Sequence, residues 1–367
     1  MNTEYRFIQP VDTLSIRGNK LFGDPGSHGE SLFPPGPSVL SGAFRSLMLV
    51  QNGDDLEALP ENFAVTAIFP ARKRSDNRVE IFLPLPADLV VTDNGNSVHR
   101  LEPQPLDSRI QYSRAADLPM LPVLRQDKPA KPEAGWLLNP DGIAAYMQGH
   151  ALSHDHLIRR DQLWGSESRI GIGLNRTSRT AEEGNLFTVE HIAPRQPETT
   201  SAFATGLVVG ISGTRDCLPD HGYLRLGGDG RAACFEPADA PQKALIIEGD
   251  RFKLMLLTPG IFDRGWLPNR IHEENGEYWL EYDECKARLV CAALPRAEVI
   301  SGWDLAAWAP KTAERAVPSG SVYWFDKFQG DAKVLGKLAS EGLWPEGSDD
   351  SVRRAEGFNR FLCADWS

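Results

Sequence analysis

The chain has 367 residues, 41% hydrophobic and 24% charged, enough for two domains or one elaborated core, which excludes a peptide-sized or globally disordered protein. Its 33 glycines and 27 prolines follow no short period, so collagen-like and coiled-coil chains are excluded and a loop-rich fold is expected. The net charge of −11 has the wrong sign for a protein that coats nucleic acid over its whole surface, so any contact with RNA must be local.

Tyr5 to Ile16 alternates apolar and polar residues before Arg17-Gly18-Asn19, which predicts a strand ending in a turn. Leu21 to Pro37 is dense in glycine and proline and reads as a long loop. From Ser38, placed as a cap, Leu40, Ala43, Phe44 and Leu47 recur at helical spacing through Val50. Gly42 inside that helix predicts a backbone pressed against a neighbour. Ala64–Phe69 and Arg78–Leu83 predict a hairpin with its arginines at the tip. Pro86 to Gln126 shows no regular pattern, and Asp141–His150 reads as a short helix after Asn139-Pro140.

Gly184–Ile192 predicts a strand, and the polar, Pro-bearing stretch Ala193–Thr200 marks the expected domain boundary, giving modules 1–195 and 196–367. Further strands are predicted at Phe203–Ile211, Tyr223–Leu226, Arg231–Phe235, Ala244–Leu257, Ala287–Leu294 and Ser321–Phe325, and a helix at Lys333–Glu341. Strands bracketing one helix in each half point to an α+β pair of modules. Neither Ala202–Ile211 nor Phe252–Phe262 is long enough to span a membrane. The N-terminus lacks a secretory pattern, so a cytoplasmic protein is expected. Cys217, Cys234, Cys285, Cys291 and Cys363 are odd in number and form no CxxC pair, which favours thiols over disulfides or zinc.

Two clusters of positive charge stand out. In the first, Arg72, Lys73, Arg74 and Arg78 face only Asp76; in the second, Arg159, Arg160, Arg169, Arg176 and Arg179 outnumber Asp161 and Glu167. Each is either a local RNA contact or a solvated loop. Arg169, Arg176 and Arg179 interleave with Ile170, Ile172 and Leu174, so the apolar residues are expected to anchor the segment while the guanidiniums face outward, with Thr177 and Ser178 as added donors.

Gly227, Gly228 and Gly230, flanked by Arg225 and Arg231, suit either convergent N–H groups around a phosphate or an ordinary hairpin turn. Gly18 and Gly23 sit in a similar loop, where Phe22 either stacks on a base or packs beneath the helix. His150, His154 and His156 have only Asp155 and Asp161 nearby and no cysteine, a poor metal set. With no P-loop, no GxSxG and no paired carboxylates, no metal or cofactor is expected.

Five strings in order carry a resemblance. They are Phe7-Ile8-Gln9-Pro10, Asp12-Thr13-Leu14 and Ser31 to Pro35 with Ser41 to Arg45; Phe82 to Asp88; Glu167 to Ile172 with Gly184 to Phe187; Leu226 to Arg231; and Ser301 to Asp304 with Val317 to Tyr323. Together they resemble the third subunit of the type III-B CRISPR effector, the Cmr complex, within the RAMP superfamily. The resemblance implies two fused ferredoxin-like (RRM-like) modules with long loop insertions, in a non-catalytic subunit holding the 5′ tag of the guide crRNA. It also implies docking to the large polymerase/cyclase-like subunit and to neighbouring backbone RAMP subunits. After Gly357-Phe358-Asn359 the chain lacks the fuller glycine-rich C-terminal signature of many RAMP proteins.

With that resemblance, the RNA-binding set is Gly18, Phe22, Gly23, His28, Arg72, Lys73, Arg74, Arg169, Arg176, Thr177, Arg179, Arg225, Gly227, Gly228 and Arg231. A rival expectation comes from related RAMP ribonucleases, which use a histidine near such a loop as general acid or base. On that reading His28 cleaves the CRISPR transcript, although no partner for it is evident in the sequence.

Overall fold

The structure, a computed structural model, describes all residues except 1–2, 17, 19–27, 30, 54, 56–58, 107–117, 127–129, 176, 196–202, 215–216, 242–246, 248, 305–307, 348–349 and 367; residues 28–29 and 183–185 are described by backbone alone. Chain contacts define two compact units. The first comprises Met1–Ile81, Arg160–Ala240 and Ser301–Thr312, and the second Phe82–Arg159, Pro241–Ile300 and Ala313–Ser367. The architecture is mixed α+β, mostly antiparallel sheet with few helices.

The first unit contains β1 (Thr3–Pro10), α1 (Pro37–Gln51), β2 (Ala64–Arg74), β3 (Val79–Ile81), β4 (Trp164–Leu174), β5 (Ala181–Pro194), β6 (Phe203–Ser212), β7 (Gly222–Arg225) and β8 (Ala232–Ala238). Six of the strands form one antiparallel sheet in the order β7-β8-β1-β6-β2-β3. Leu40, Ala43, Phe44 and Met48 recur on the buried side of α1, and the Phe44 ring meets Phe235 of β8 edge-on at 6.4 Å. The cap expected at Ser38 is instead Gly36, with Pro37 in the first turn and no side-chain cap, because proline's fixed φ already suits that position. The close neighbour expected at Gly42 is also absent: a Cβ there would meet nothing within 4 Å.

This sheet differs from the division expected at residue 195. β6 pairs with β1 on one side and β2 on the other, so segments from both sides of that position share one hydrogen-bonded ladder. A change in composition alone does not mark where such a ladder ends.

The second unit holds α2 (Pro140–Met147), β9 (Phe252–Leu256), β10 (Ile271–Glu274), β11 (Glu277–Tyr282), β12 (Cys285–Ala293), β13 (Val322–Gln329), α3 (Ala332–Glu341), α4 (Ser351–Glu356) and β14 (Phe361–Asp365), with sheet order β10-β11-β12-β13-β9-β14. Phe252, Leu254 and Leu256 of β9 point into a core shared with Leu335 and Leu338 of α3 and with Phe361 and Cys363 of β14. The Phe252 and Phe325 rings stack at 4.9 Å.

Between them β9 carries Lys253, 1% exposed. Its ammonium bonds Asp88 at 2.9 Å and lies 4.1 Å from the Tyr146 ring centroid, while the Tyr146 hydroxyl donates to the other Asp88 oxygen at 2.9 Å. Burial pulls the Lys253 pKa down and Asp88 opposes that shift.

Two sequence strings meet in this unit. Ala87 N–H donates to the Gly320 carbonyl, and Gly320, at φ +87°, lies against the Leu85 carbonyl. Near the C-terminus, Asn359 at φ +62° is fully buried, accepting from Ile261 N–H and donating to the Ile261 carbonyl.

Pro86–Gln126, expected to be irregular, holds strands Leu89–Thr92, Ser97–Pro105 and Met120–Leu124 in one three-stranded sheet. Pro103, Pro105 and Pro122 lie within those strands and mask the usual strand pattern. The β10–β11 hairpin also lies outside the expected elements. Its signal is Asn275-Gly276, both at positive φ, the pair favoured in tight hairpins.

Candidate nucleic-acid interface

Several of the sequence-selected segments converge in the first unit on Asp12 to Ile16. The β4–β5 hairpin is antiparallel from Trp164/Pro194 to Ile172/Leu186, with a bulge before Leu174 pairs Ala181. Its base is tied down by a reciprocal pair of 2.8 Å backbone bonds between Leu14 and Ile192. Ser31 adds two links: its hydroxyl accepts from Ile16 N–H at 3.2 Å and donates to the Glu190 carbonyl. The Phe33 and Trp164 rings lie 4.1 Å apart. Backbone of His28–Gly29 runs parallel to Thr188–Val189, so this pair of residues adjoins the same hairpin.

The glycine turn between β7 and β8 docks on this segment from the other side. Gly228 N–H donates to the Ser15 carbonyl at 2.7 Å, and Leu226 N–H to the Arg231 carbonyl at 2.8 Å. Gly227 stands at φ +83° with the Ser15 carbonyl so close that a Cβ would lie 2.4 Å from it. Glycine is required at 227 on both counts.

Register places Glu167 opposite His191 and Arg169 opposite Val189, so the two charged side chains and the imidazole share one face of the hairpin. Arg169 pairs with Glu167 at 2.8 Å, Arg231 pairs with Asp12 at 2.8 Å, and the Thr13 hydroxyl shares a 3.2 Å hydrogen bond with His191 Nδ1. The Thr13 backbone, aided by Arg231 and Arg169, holds the Asp12 carboxyl below the usual carboxylate range. Burial, then Arg169 and Arg231, push the His191 imidazole below its ordinary value, which favours the uncharged ring.

The hairpin tip is built on Asn175, whose side-chain oxygen accepts from Thr177 and Ser178 N–H at 3.0 Å each; Arg179, at φ +56°, donates its N–H to the Asn175 carbonyl. Thr177 and Arg179 are exposed. The anchoring expected of Ile170, Ile172 and Leu174 does not occur: they are 74%, 53% and 55% exposed. The hairpin is held at its base by Leu14, Ser31 and Phe33, and among the described residues no layer covers its outer part.

The basic cluster lies elsewhere on the sheet. Arg72 and Lys73 sit within β2 rather than at the hairpin tip, while Arg74 and Arg78 close the turn. Arg72 and Arg74 both bond Glu80, at 2.8 and 2.6 Å, and Lys73 bonds Glu236. Burial alone would raise the Glu80 carboxyl, but hydrogen bonds from Arg74 and Arg72 hold it below its usual value. A depressed folded-state value contributes stability above the unfolded carboxylate pKa and loses it as pH falls through the depressed value. Glu80→Gln is therefore expected to shrink the stability difference between neutral and acidic pH, read from urea midpoints at several pH values. An unchanged difference would refute the assignment.

Of the sequence-selected residues, Gly18, Arg169, Gly227, Gly228 and Arg231 lie in or adjoin the Asp12–Ile16 junction, Thr177 and Arg179 extend from it, and Arg225 is exposed on β7. Arg72, Lys73 and Arg74 belong to the separate β2 turn. Phe22, Gly23, Arg176 and the His28 side chain lie outside the described residues. Asp12, Thr13 and His191 were not selected, and of them only His191, an imidazole within an alternating strand, carries a signal of its own. The His154 and His156 rings serve local structure: His154 Nδ1 hydrogen-bonds the Gly95 carbonyl, and His156 Nδ1 accepts from Ser153 N–H.

Residues 6–366 match the family model described as CRISPR-associated protein (Cas_Cmr3). The chain belongs to this family. The resemblance to the third subunit of the type III-B effector is thus borne out across both units. No curated protein matches the Cmr3-family chain.

Among solved structures it is similar to a chain of "Cryo-EM structure of the Type III-B Cmr-beta bound to cognate target RNA and AMPPnP, state 1", with a TM-score of 0.52 and 16% identity over 98% of this chain and 96% of that one. A chain of the Cmr-beta complex bound to cognate target RNA matches with the same values. At that identity the likeness speaks for the fold.

Proposed function

We propose that this Cmr3-family chain is a non-catalytic subunit of a cytoplasmic type III-B CRISPR effector, holding the 5′ tag of the guide crRNA at the Asp12–Ile16 junction. The observation that carries this reading is the docking of the glycine turn and the arginine-bearing hairpin on one short segment, with the His28–Gly29 strand paired to the same hairpin. An exposed ion pair such as Arg169–Glu167 is screened by water and contributes little, so a phosphate can displace the carboxylate at little cost and gain a charge-assisted bond. The pair Arg353–Glu356, 6% and 7% exposed, offers no such exchange. This difference reconciles an acidic chain with local RNA contact.

Each six-stranded sheet supports a reading as a ferredoxin-like module. In the first unit β1, β2, β6 and β8 have the spatial order 8-1-6-2, all antiparallel, with α1 after the first strand; in the second, β9, β12, β13 and β14 have the order 14-9-13-12, with α3 after the third. Each order fits a βαββαβ module in which one helix has been replaced. Family membership further supports docking against the large polymerase/cyclase-like subunit and the neighbouring backbone RAMP subunits.

The test is guide retention by the assembled complex. Arg169→Glu with Arg179→Glu is expected to weaken retention at least about tenfold at physiological salt and to flatten the dependence of affinity on salt, because fewer phosphates are neutralised. An unchanged affinity and slope would overturn the reading.

A further inference from the structure

We propose that a groove of about 350 Å3 on the first unit's sheet is a receptor for a single unstacked nucleobase, with Tyr223 as its stacking platform and the Gln9 amide as its edge reader. The inference rests on the reading that this chain holds single-stranded RNA, and it names a place where a base of that strand lodges.

Strand register builds the groove. Gln9, Cys234 and Tyr223 align across β1, β8 and β7, and Phe7 aligns with Glu236 in the next row. Because Phe235 turns its ring toward Phe44 of α1, alternation sends Cys234 and Glu236 to the opposite face. Lys73 of β2 and His221 complete the wall.

The chemistry of the lining selects the ligand. Lys73 and Glu236 bond each other, so the wall carries no net charge and is not an anion site. What remains available is uncommitted: the Gln9 amide and the His221 ring have no hydrogen-bond partner among the described residues, and Tyr223 is 70% exposed. A planar group with donors and acceptors on its edge satisfies all three. A nucleobase has that form, and stacking of a base on an aromatic side chain is the usual way an unpaired strand is held.

The surroundings suit the rest of the nucleotide. Lys73 is followed directly by Arg74, and the turn beyond carries Arg78; their side chains are 46% and 64% exposed. Both share Glu80 with Arg72, so the carboxylate is outnumbered and a phosphate passing the rim meets net positive charge. Alternation puts Arg72 and Glu80 on the other face of the sheet from Lys73, so the basic turn stands at the sheet edge beside the groove, distinct from the Asp12–Ile16 junction.

The test uses the effector assembled on guides carrying one photoreactive thio-substituted base, 4-thiouridine or 6-thioguanosine, at successive positions. Crosslinked peptides are mapped by mass spectrometry. One position is expected to crosslink to the peptide bearing Tyr223 or that bearing Gln9. Its yield should fall roughly tenfold in Tyr223→Ala and stay within about twofold in Tyr223→Phe. Since Tyr223 is exposed, circular dichroism is expected to show both variants folded.

Crosslinks confined to the β4–β5 hairpin or the glycine turn would overturn the base receptor while leaving the RNA reading intact. No crosslink anywhere on this chain would overturn both. A groove peptide crosslinked to another protein instead, or an equal yield in Tyr223→Ala, would also overturn the receptor.

Discussion

Asp88→Ala is expected to destabilise the second unit by about 3–5 kcal/mol, the largest effect of any single change considered for this chain. Asp88 has no exposed surface and accepts from both the Lys253 ammonium and the Tyr146 hydroxyl. Its loss leaves an ammonium in the middle of a fully buried strand. Burial already pulls the Lys253 pKa down, so without its carboxylate the lysine is driven toward the neutral form, and stability should become more sensitive to acid as it is forced to charge. The combined change Asp88→Leu, Lys253→Met and Tyr146→Phe removes all the polar partners together and is expected to recover much of the loss, since well-packed apolar replacements of buried ion pairs are often neutral. Urea titrations of the two variants check this. A loss below about 1 kcal/mol for Asp88→Ala would contradict the assignment.

The second large effect is expected at Gly227. Alanine there must adopt φ +83° and place its Cβ 2.4 Å from the Ser15 carbonyl. The backbone alone costs on the order of 1–3 kcal/mol, and relieving the overlap requires the turn to lift away, which breaks the Gly228 N–H bond to Ser15. Gly230 is the internal control. It also has positive φ, at +65°, but a Cβ on it would meet nothing within 4 Å. Gly230→Ala should therefore show the backbone cost alone, while Gly227→Ala should in addition lower guide retention by the assembled complex. Equal behaviour of the two variants in denaturation and retention would show that docking on Ser15 carries no weight.

The strings that carried the family resemblance are places where one loop locks onto another. Leu226–Arg231 rests on Ser15, Leu14 pairs with Ile192, and Phe33 packs against Trp164. Phe82–Asp88 receives Gly320 and supplies the buried carboxylate for Lys253. Such contacts demand particular residues, which makes them readable in a linear chain. The long strands were legible for the usual reason, alternation and continuous apolar runs. The sheet of Leu89–Thr92, Ser97–Pro105 and Met120–Leu124 was not, because its prolines imitate loop. Nor was the partnering of charge: Glu236 lies 163 residues from the lysine it neutralises, a distance no local pattern spans. The exposed Ile170, Ile172 and Leu174 misled for a related reason, since apolar residues in a strand imply burial only when a second layer is present.

The order in which strands are laid down has a consequence for biosynthesis. In the first unit, the opening strand β1 sits between β6 and β8, so residues 3–10 have no strand partner until position 212 has emerged from the ribosome and lack the second until position 238. The second unit begins at Phe82, yet its last strand ends at Asp365. The first body cannot close its main sheet before residue 238, nor the second before residue 365, and the nascent polypeptide is left with unpaired strand edges for much of its synthesis. Because the two bodies interleave along the chain, they cannot close as one half and then the other. Splitting the gene near codon 195 should for that reason give two insoluble products instead of two working pieces.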